Sequence, residues 1–180
     1  MAITIYWTDQ MNSYFREPDP VVKRLGHEKY ARSNIDLCPS IKEYYTNTFA
    51  IQSYIDYEFE WNDRGEFTSD WYDRAFTDNA MLIRDQEYGC FSLRIPKLLF
   101  IPDKPLVVEA LHPTMSESDI ARKSTLIQGT FNPYYHIREF DIAYHLHQAG
   151  STIRINEGDD LFYIRFLTTQ KIRFKRFCAT

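Results

Sequence analysis

A chain of 180 residues has room for one ordinary domain and is short for two. Its 44% hydrophobic and 26% charged residues exclude a disordered chain, and a net charge of −4 is too mild to imply nucleic acid or membrane by itself. Three cysteines, Cys38, Cys90 and Cys178, form no CxxC and no even-numbered framework, which points to a reducing, cytoplasmic setting.

The composition favours strands. There are 13 Tyr, 13 Phe and 3 Trp against only 6 Gly, and aromatic residues suit a pleated, half-buried surface. Residues 1–10 lack a basic region followed by an apolar run, so no signal peptide is expected. Nothing approaches the ~18 consecutive apolar residues of a membrane-spanning helix. Charge is unevenly spread, with a net −7 over residues 56–87 and five basic residues without an acid from 161 onward. Such blocks can meet across an oligomer interface.

In chain order, residues 2–7 alternate with Ile3, Ile5 and Trp7 on one face and predict a first strand. Pro18 and Pro20 interrupt regular structure, and residues 21–31 are compatible with a short helix. A second helix is expected after Cys38-Pro39, with Ser40 as N-cap and Glu43 completing a capping box. Residues 48–61 read as one long strand, with Phe49, Ile51, Ile55, Tyr57, Phe59 and Trp61 on one face and Ser53 the sole interruption. Asn62-Asp63-Arg64-Gly65 is a turn, with 66–71 as the returning arm of a hairpin. Residues 70–80 are polar and read as loop. Residues 90–101 and 106–111 read as strands joined by the turn Pro102-Asp103-Lys104-Pro105.

The last part of the chain has the clearest pattern. Residues 134–147 are expected as a strand carrying Phe140, Ile142, Tyr144 and Leu146 inward and Asp141, Ala143, His145 and His147 outward. Strands over 151–156, 161–167 and 171–177 follow, separated by Ala149-Gly150 and Glu157-Gly158-Asp159-Asp160 turns. The 161–167 run is nearly continuously apolar, as expected of a strand covered on both faces. Four successive strands without a helix predict sequential antiparallel ribbons in a sandwich or barrel. The whole chain, 1–180, is expected to be one mainly β domain with one or two short N-terminal helices.

Motifs for chemistry are sparse. His145-x-His147 would project two imidazoles from one face of a strand, the arrangement in which jelly-roll proteins place metal ligands. The carboxylate and the later His that complete such a set are missing from the following sequence. No His is followed two positions later by a carboxylate, so the facial-triad pattern is absent. Cys38 at a helix start is the one thiol in a position to have its pKa lowered, but no neighbouring His is indicated. Neither a GxGxxG nor a GxxxxGK[ST] phosphate loop occurs.

The segment Gly129-Thr130-Phe131-Asn132-Pro133-Tyr134-Tyr135, followed later by Ile153-x-Ile155-x-x-Gly158-Asp159-Asp160-Leu161-x-Tyr163, resembles part of the dUTPase family. The resemblance spans residues 129–166, and Ser53-Tyr54-Ile55-Asp56-Tyr57 is faintly similar to that family's early Asp-bearing strand. It implies a β-clip fold, a trimer, and ligand contacts at Asn132, Tyr135 and Asp56. It does not imply the family's reaction, because the water-activating Asp is replaced by Asn132, which cannot act as a general base. Leu111-His112-Pro113-Thr114 stands near where a phosphate-binding Arg-Ser would be, and residues 176–180 form no Gly-rich arm.

Asp36-x-Cys38-Pro39, the Asp56-Tyr57-x-Phe59 strand and the late Gly158-Asp159 turn also resemble a β-rich family of marine tailed phages and bacteria that has no assigned activity. That likeness implies a phage setting and no mechanism. The combined expectation is a non-enzymatic structural or interaction protein, without cofactor, that self-associates or binds a protein partner. The alternative is a small-molecule or nucleotide-binding β-barrel with metal at His145 and His147. Single-stranded nucleic-acid binding by Arg173, Lys175 and Arg176 beside Phe174 and Phe177 ranks last. The same alternation is what an edge strand with basic gatekeepers shows.

Overall fold

Among the described residues, alternating apolar runs become strands, and four sheets bury their rings in one shared interior. The computed structural model describes residues 2–9, 17–23, 38–69, 81–94, 98–137 and 139–177. The strands are β1 (Ala2–Asp9), β2 (Asp19–Pro20), β3 (Thr48–Gln52), β4 (Tyr57–Trp61), β5 (Phe67–Thr68), β6 (Met81–Asp85), β7 (Cys90–Leu93) and β8 (Leu98–Pro102). They continue as β9 (Val108–Leu111), β10 (Ser124–Leu126), β11 (Gly129–Phe131), β12 (Ile142–Leu146), β13 (Ser151–Ile155), β14 (Asp160–Phe166) and β15 (Lys171–Arg176). Among the described residues two short helices, α1 (Pro39–Tyr44) and α2 (Asp119–Lys123), interrupt them.

The sheets have the orders β15-β1-β8, β10-β12-β7-β6, β11-β9-β14-β3-β2 and β13-β4-β5. Among the described residues every pairing is antiparallel except β1 with β15, which run parallel from Ala2↔Lys171 to Trp7↔Arg176. The fold class expected from the pattern is therefore found: mainly β, antiparallel and sandwich-like. All four sheets feed one core, represented by Ile5 and Phe100, Phe91 and Tyr144, Ile51 and Phe166, and Phe59 and Ile153. Ring contacts cross between sheets, with Phe59 on Phe91 at 5.0 Å and Phe49 on Phe174 at 4.8 Å between centroids. Edge-on and offset pairs of this kind add to the area they bury.

β14 is the central strand of the largest sheet and is buried almost end to end. Phe162, Ile164 and Phe166 join the main core, whereas Tyr163 points to a second cluster with Val21, Tyr45, Ala50 and Leu111. Its continuous apolar run thus serves two faces, as its sequence requires.

Several boundaries differ from the sequence reading. The expected strand over 48–61 is two strands in different sheets. Ser53 makes the corner: its Oγ donates to the Ile55 carbonyl at 2.6 Å, and its backbone exchanges hydrogen bonds with Asp159 and Gly158 at 2.8 Å each. The 90–101 strand is likewise split into β7 and β8, which belong to separate sheets. The 134–147 strand is regular only over Ile142–Leu146, because Asn132 and Pro133 first fold residues 132–136 into a turn. The four C-terminal strands are not sequential ribbons. β12, β13, β14 and β15 enter four different sheets, and none pairs with its successor.

At α1 the N-cap is Cys38 and Ser40 lies inside the helix, so the expected capping box does not form. Pro39 takes the first helical position, for which its fixed φ and missing N–H suit it. Val21–Lys23 is a single 3₁₀ turn; the rest of the expected 21–31 helix, and the expected loop over 70–80, lie outside the described residues. The hairpin at 62–65 is present, with the Asn62 carboxamide oxygen accepting from Arg64 N and Glu66 N at 2.9 Å each. Its returning arm is strand over Phe67–Thr68, and residues 70 and 71 of the expected arm lie outside the described residues. Among the described residues, no helix is long and apolar enough to cross a membrane.

Candidate interaction surface

The residues singled out by sequence are distributed over separate parts of the surface. His145 and His147 are both exposed at the end of β12. His147 Nε2 is 2.8 Å from the Thr125 hydroxyl, and its backbone N–H is held by the Lys123 carbonyl at 3.0 Å. Among the described residues no three His, Cys, Asp or Glu side chains gather as a metal site would need. Asp56 is exposed and accepts from the Glu157 backbone N–H at 2.7 Å, tying the Ser53 corner to the turn before β14. Asn132 accepts from Tyr134 N at 3.1 Å through its side chain, the local bond by which Asn shapes a turn. Tyr135, on that turn, is 67% exposed. Asn132 and Tyr135 are thus brought together, while Asp56 and the histidine pair lie on other elements.

The surface around Asn132 carries several exposed apolar side chains. Ile127, Tyr134, Tyr135 and Ile137 are all exposed within residues 127–137. The same stretch contains β11, which among the described residues pairs only with β9 and leaves one strand edge open. No side-chain atom fills the space where a Cβ on Gly129 would stand.

A groove of about 190 Å³ runs beside that edge, between β11 and the segment entering β12. Phe140 and Ile142 turn inward, Phe140 packing edge-on against Phe131 at 4.7 Å. Glu139, Asp141 and Ala143 are less buried than these two, and all five line the groove together with Ile127 and Thr130. One carboxylate oxygen of Asp141 pairs with the Arg84 guanidinium, whose Nε donates to the Ser92 hydroxyl at 2.8 Å. The other, Oδ1, is buried and has no partner. A buried acceptor left without a hydrogen bond is costly and calls for an explanation.

A larger cleft, about 440 Å³, opens between α2 and the turn before β14. Its polar groups largely satisfy one another. Asp119 accepts from Lys123 Nζ at 2.9 Å, Arg154 N at 3.0 Å and Arg122 at 3.3 Å. Partial burial would raise the Asp119 pKa, but the Lys123 hydrogen bond, the Arg154 backbone N–H and the two cations outweigh it and hold the carboxyl below its ordinary value. The thiol of Cys38 is lowered by the Ser40 hydroxyl at 3.2 Å and by the Ser40 and Ile41 backbone N–H groups. Among the described residues no histidine stands beside it as a base.

Sequence reasoning missed the groove. Asp141 was legible as an outward residue of β12, but the open edge of β11 and the unpaired oxygen depend on which strands become neighbours. The chain matches no family model, no curated protein and no solved structure.

Proposed function

We propose that this chain is a non-enzymatic structural or interaction protein that works by self-association, with residues 127–137 and the adjoining groove as its docking face. The carrying observation is the concentration of exposed Ile127, Tyr134, Tyr135 and Ile137 beside a strand edge that is unpaired among the described residues. Exposed apolar stretches rimmed by polar groups mark association sites, and aromatic side chains provide much of the energy at such sites. An open edge adds main-chain hydrogen bonds, which favour an extended partner. The resemblance to the phage family supports an assembly setting for this reading.

Sedimentation velocity over a range of protein concentrations tests it. Association should be concentration-dependent and should weaken by about tenfold or more in Tyr135→Ser combined with Ile137→Ser, the scale expected for two interface anchors. A wild-type chain that stays monomeric throughout would refute the proposal. The cleft beside α2 supports a second reading, binding of a small molecule or nucleotide. A thermal-shift screen tests that alternative, since a ligand specific for the folded state raises its apparent stability.

A further inference from the structure

We infer that the outer face of the sheet β15-β1-β8 binds single-stranded nucleic acid, holding phosphates along β15 and a base on the ring of Tyr6. The inference is independent of self-association and concerns a different sheet from the one that bears β11. It starts from the way two neighbouring strands face. On β1, Ile3, Ile5 and Trp7 are buried in the core; on β15, Ile172 is buried and Phe174 packs against the same core. The residues between them, Thr4 and Tyr6 on β1 and Lys171, Arg173 and Lys175 on β15, therefore lie on the other face. The parallel register sets Thr4 beside Arg173 and Tyr6 beside Lys175.

All three cations are exposed. On other elements cations hold carboxylates: Arg84 holds Asp141, Arg154 holds Glu58 and Arg165 holds Glu109. Among the described residues Lys171, Arg173 and Lys175 hold none. Asp103, which follows β8 and pairs with Thr4, turns its carboxylate to the Thr4 backbone N–H at 3.2 Å. A chain with 25 acidic and 21 basic residues thus keeps a row of three cations unneutralised, the footprint of a site for a polyanion. Cations that only guard a strand edge need no aromatic neighbour. Here Lys175 Nζ lies 5.7 Å from the centroid of the half-buried Tyr6 ring, and Ile101 of β8 flanks that ring on its other side.

The spacing favours a single strand. Alternate residues of β15 stand about 7 Å apart, twice the ~3.4 Å per phosphate along one strand of a stacked duplex. An extended single strand offers successive phosphates at the wider spacing, so one laid along β15 meets all three cations. Tyr6 supplies a ring on which a base stacks. The Lys175 contact with that ring is close to the ~6 Å limit of such interactions, so Lys175 moves readily to a phosphate and leaves the ring to a base. A duplex keeps its bases inside, and a broad sheet face does not enter a groove that admits a helix or a two-stranded ribbon.

Fluorescence anisotropy of a labelled oligothymidylate titrated with the full chain tests the inference. Neutralising three phosphates of a single strand gives a slope of about −2 in log K against log salt, so affinity should fall roughly twentyfold between about 50 and 200 mM salt. Lys171→Gln with Arg173→Gln should weaken binding about tenfold or more at the lower salt and reduce the slope to about −0.7. Tyr6→Leu should weaken binding about fivefold or more and leave the slope unchanged, as loss of a stacking contact requires. Circular dichroism and thermal melts matching wild type establish that the variants are folded. The inference is overturned by no binding at the lower salt, or by a slope that survives Lys171→Gln with Arg173→Gln. Binding of a blunt duplex or of phosphatidylserine vesicles as tight as that of the single strand overturns it too. None of these outcomes bears on self-association, which sedimentation reads separately.

Discussion

Replacing Gly89 with alanine separates packing strain from backbone strain at the hairpin between β6 and β7. Gly89 sits at φ +62°, a conformation that L side chains rarely adopt, and a Cβ there would lie 2.7–2.8 Å from three carbons of the Trp61 ring. That ring cannot swing away freely. Its Nε1 donates to the Gln86 carbonyl at 3.0 Å, and its face stacks on Phe67 at 6.3 Å between centroids. Left-handed backbone costs a non-glycine residue roughly 1–2 kcal/mol, and forcing extra volume into a packed site costs roughly 1–3 kcal/mol more. Gly89→Ala should therefore lose about 2–5 kcal/mol. Gly158→Ala is the control: φ is +89°, but nothing lies within 4 Å of the added Cβ, so only the backbone penalty applies. Both substitutions reduce unfolded-state entropy alike, so that contribution cancels in their difference. Urea unfolding should show Gly89→Ala to be the more destabilised by about 1–3 kcal/mol, each kcal/mol corresponding to roughly 2–4 °C in Tm for a chain of this size. Combining it with Trp61→Leu should recover part of the deficit as a favourable coupling. Equal losses at the two glycines would refute the packing argument.

Other expectations follow from single contacts. Tyr144 is fully buried and donates to the Leu161 carbonyl at 2.8 Å, so Tyr144→Phe should cost about 1–2 kcal/mol at neutral pH in chemical denaturation. Burial also pushes the Tyr144 hydroxyl well above its ordinary pKa, so the stability linked to its neutral form should be intact below about pH 10 and decline as pH rises further. Tyr144→Phe should blunt that alkaline decline. Asp119 has the opposite sign: its lowered pKa contributes stability above the ordinary carboxylate range, lost as pH falls below ~4, and Asp119→Asn should flatten the acid limb of a pH–stability curve. Asn47 holds φ +54° and donates to the Thr168 and Gln170 carbonyls at 2.8 and 2.9 Å. Asn47→Ala should cost about 2–3 kcal/mol by thermal unfolding, from strain plus the lost bonds.

Which face of each strand is buried could be read from the sequence because burial and alternation are the same signal. Ile3, Ile5 and Trp7, then Tyr57, Phe59 and Trp61, then Ile142, Tyr144 and Leu146 are all buried as their spacing indicates. The hairpin at Asn62 was legible for a different reason: its side chain makes the turn locally, without help from the rest of the fold. Corners left no such mark. Ile51 and Tyr57 keep the same parity across Ser53, so a change of sheet looks like one continuous strand. α2 did leave a signal. Ser118 precedes Asp119 and Ile120, caps Ala121 N through its hydroxyl at 3.4 Å, and is followed by Arg122 and Lys123 in the last turn.

Strand partners were beyond reach because alternation specifies what faces inward and carries nothing about what lies alongside. β1 and β15 show this most clearly: their apolar pattern is plain in each, yet their parallel pairing joins Ala2 to Lys171. The docking surfaces depend on those same partner choices. The basic composition of residues 171–176 does not reveal that β15 lies beside β1, its sole strand neighbour among the described residues. The acidic block over 56–87 was the obvious complement, yet part of it is engaged internally, with Glu58 on Arg154 and Asp56 on the Glu157 backbone. Glu139, which lines the groove beside β11, lies outside that block, in a stretch whose local composition is ordinary. Charge counting along a chain finds where charge is written; the fold decides which charges have already been neutralised and which are still presented.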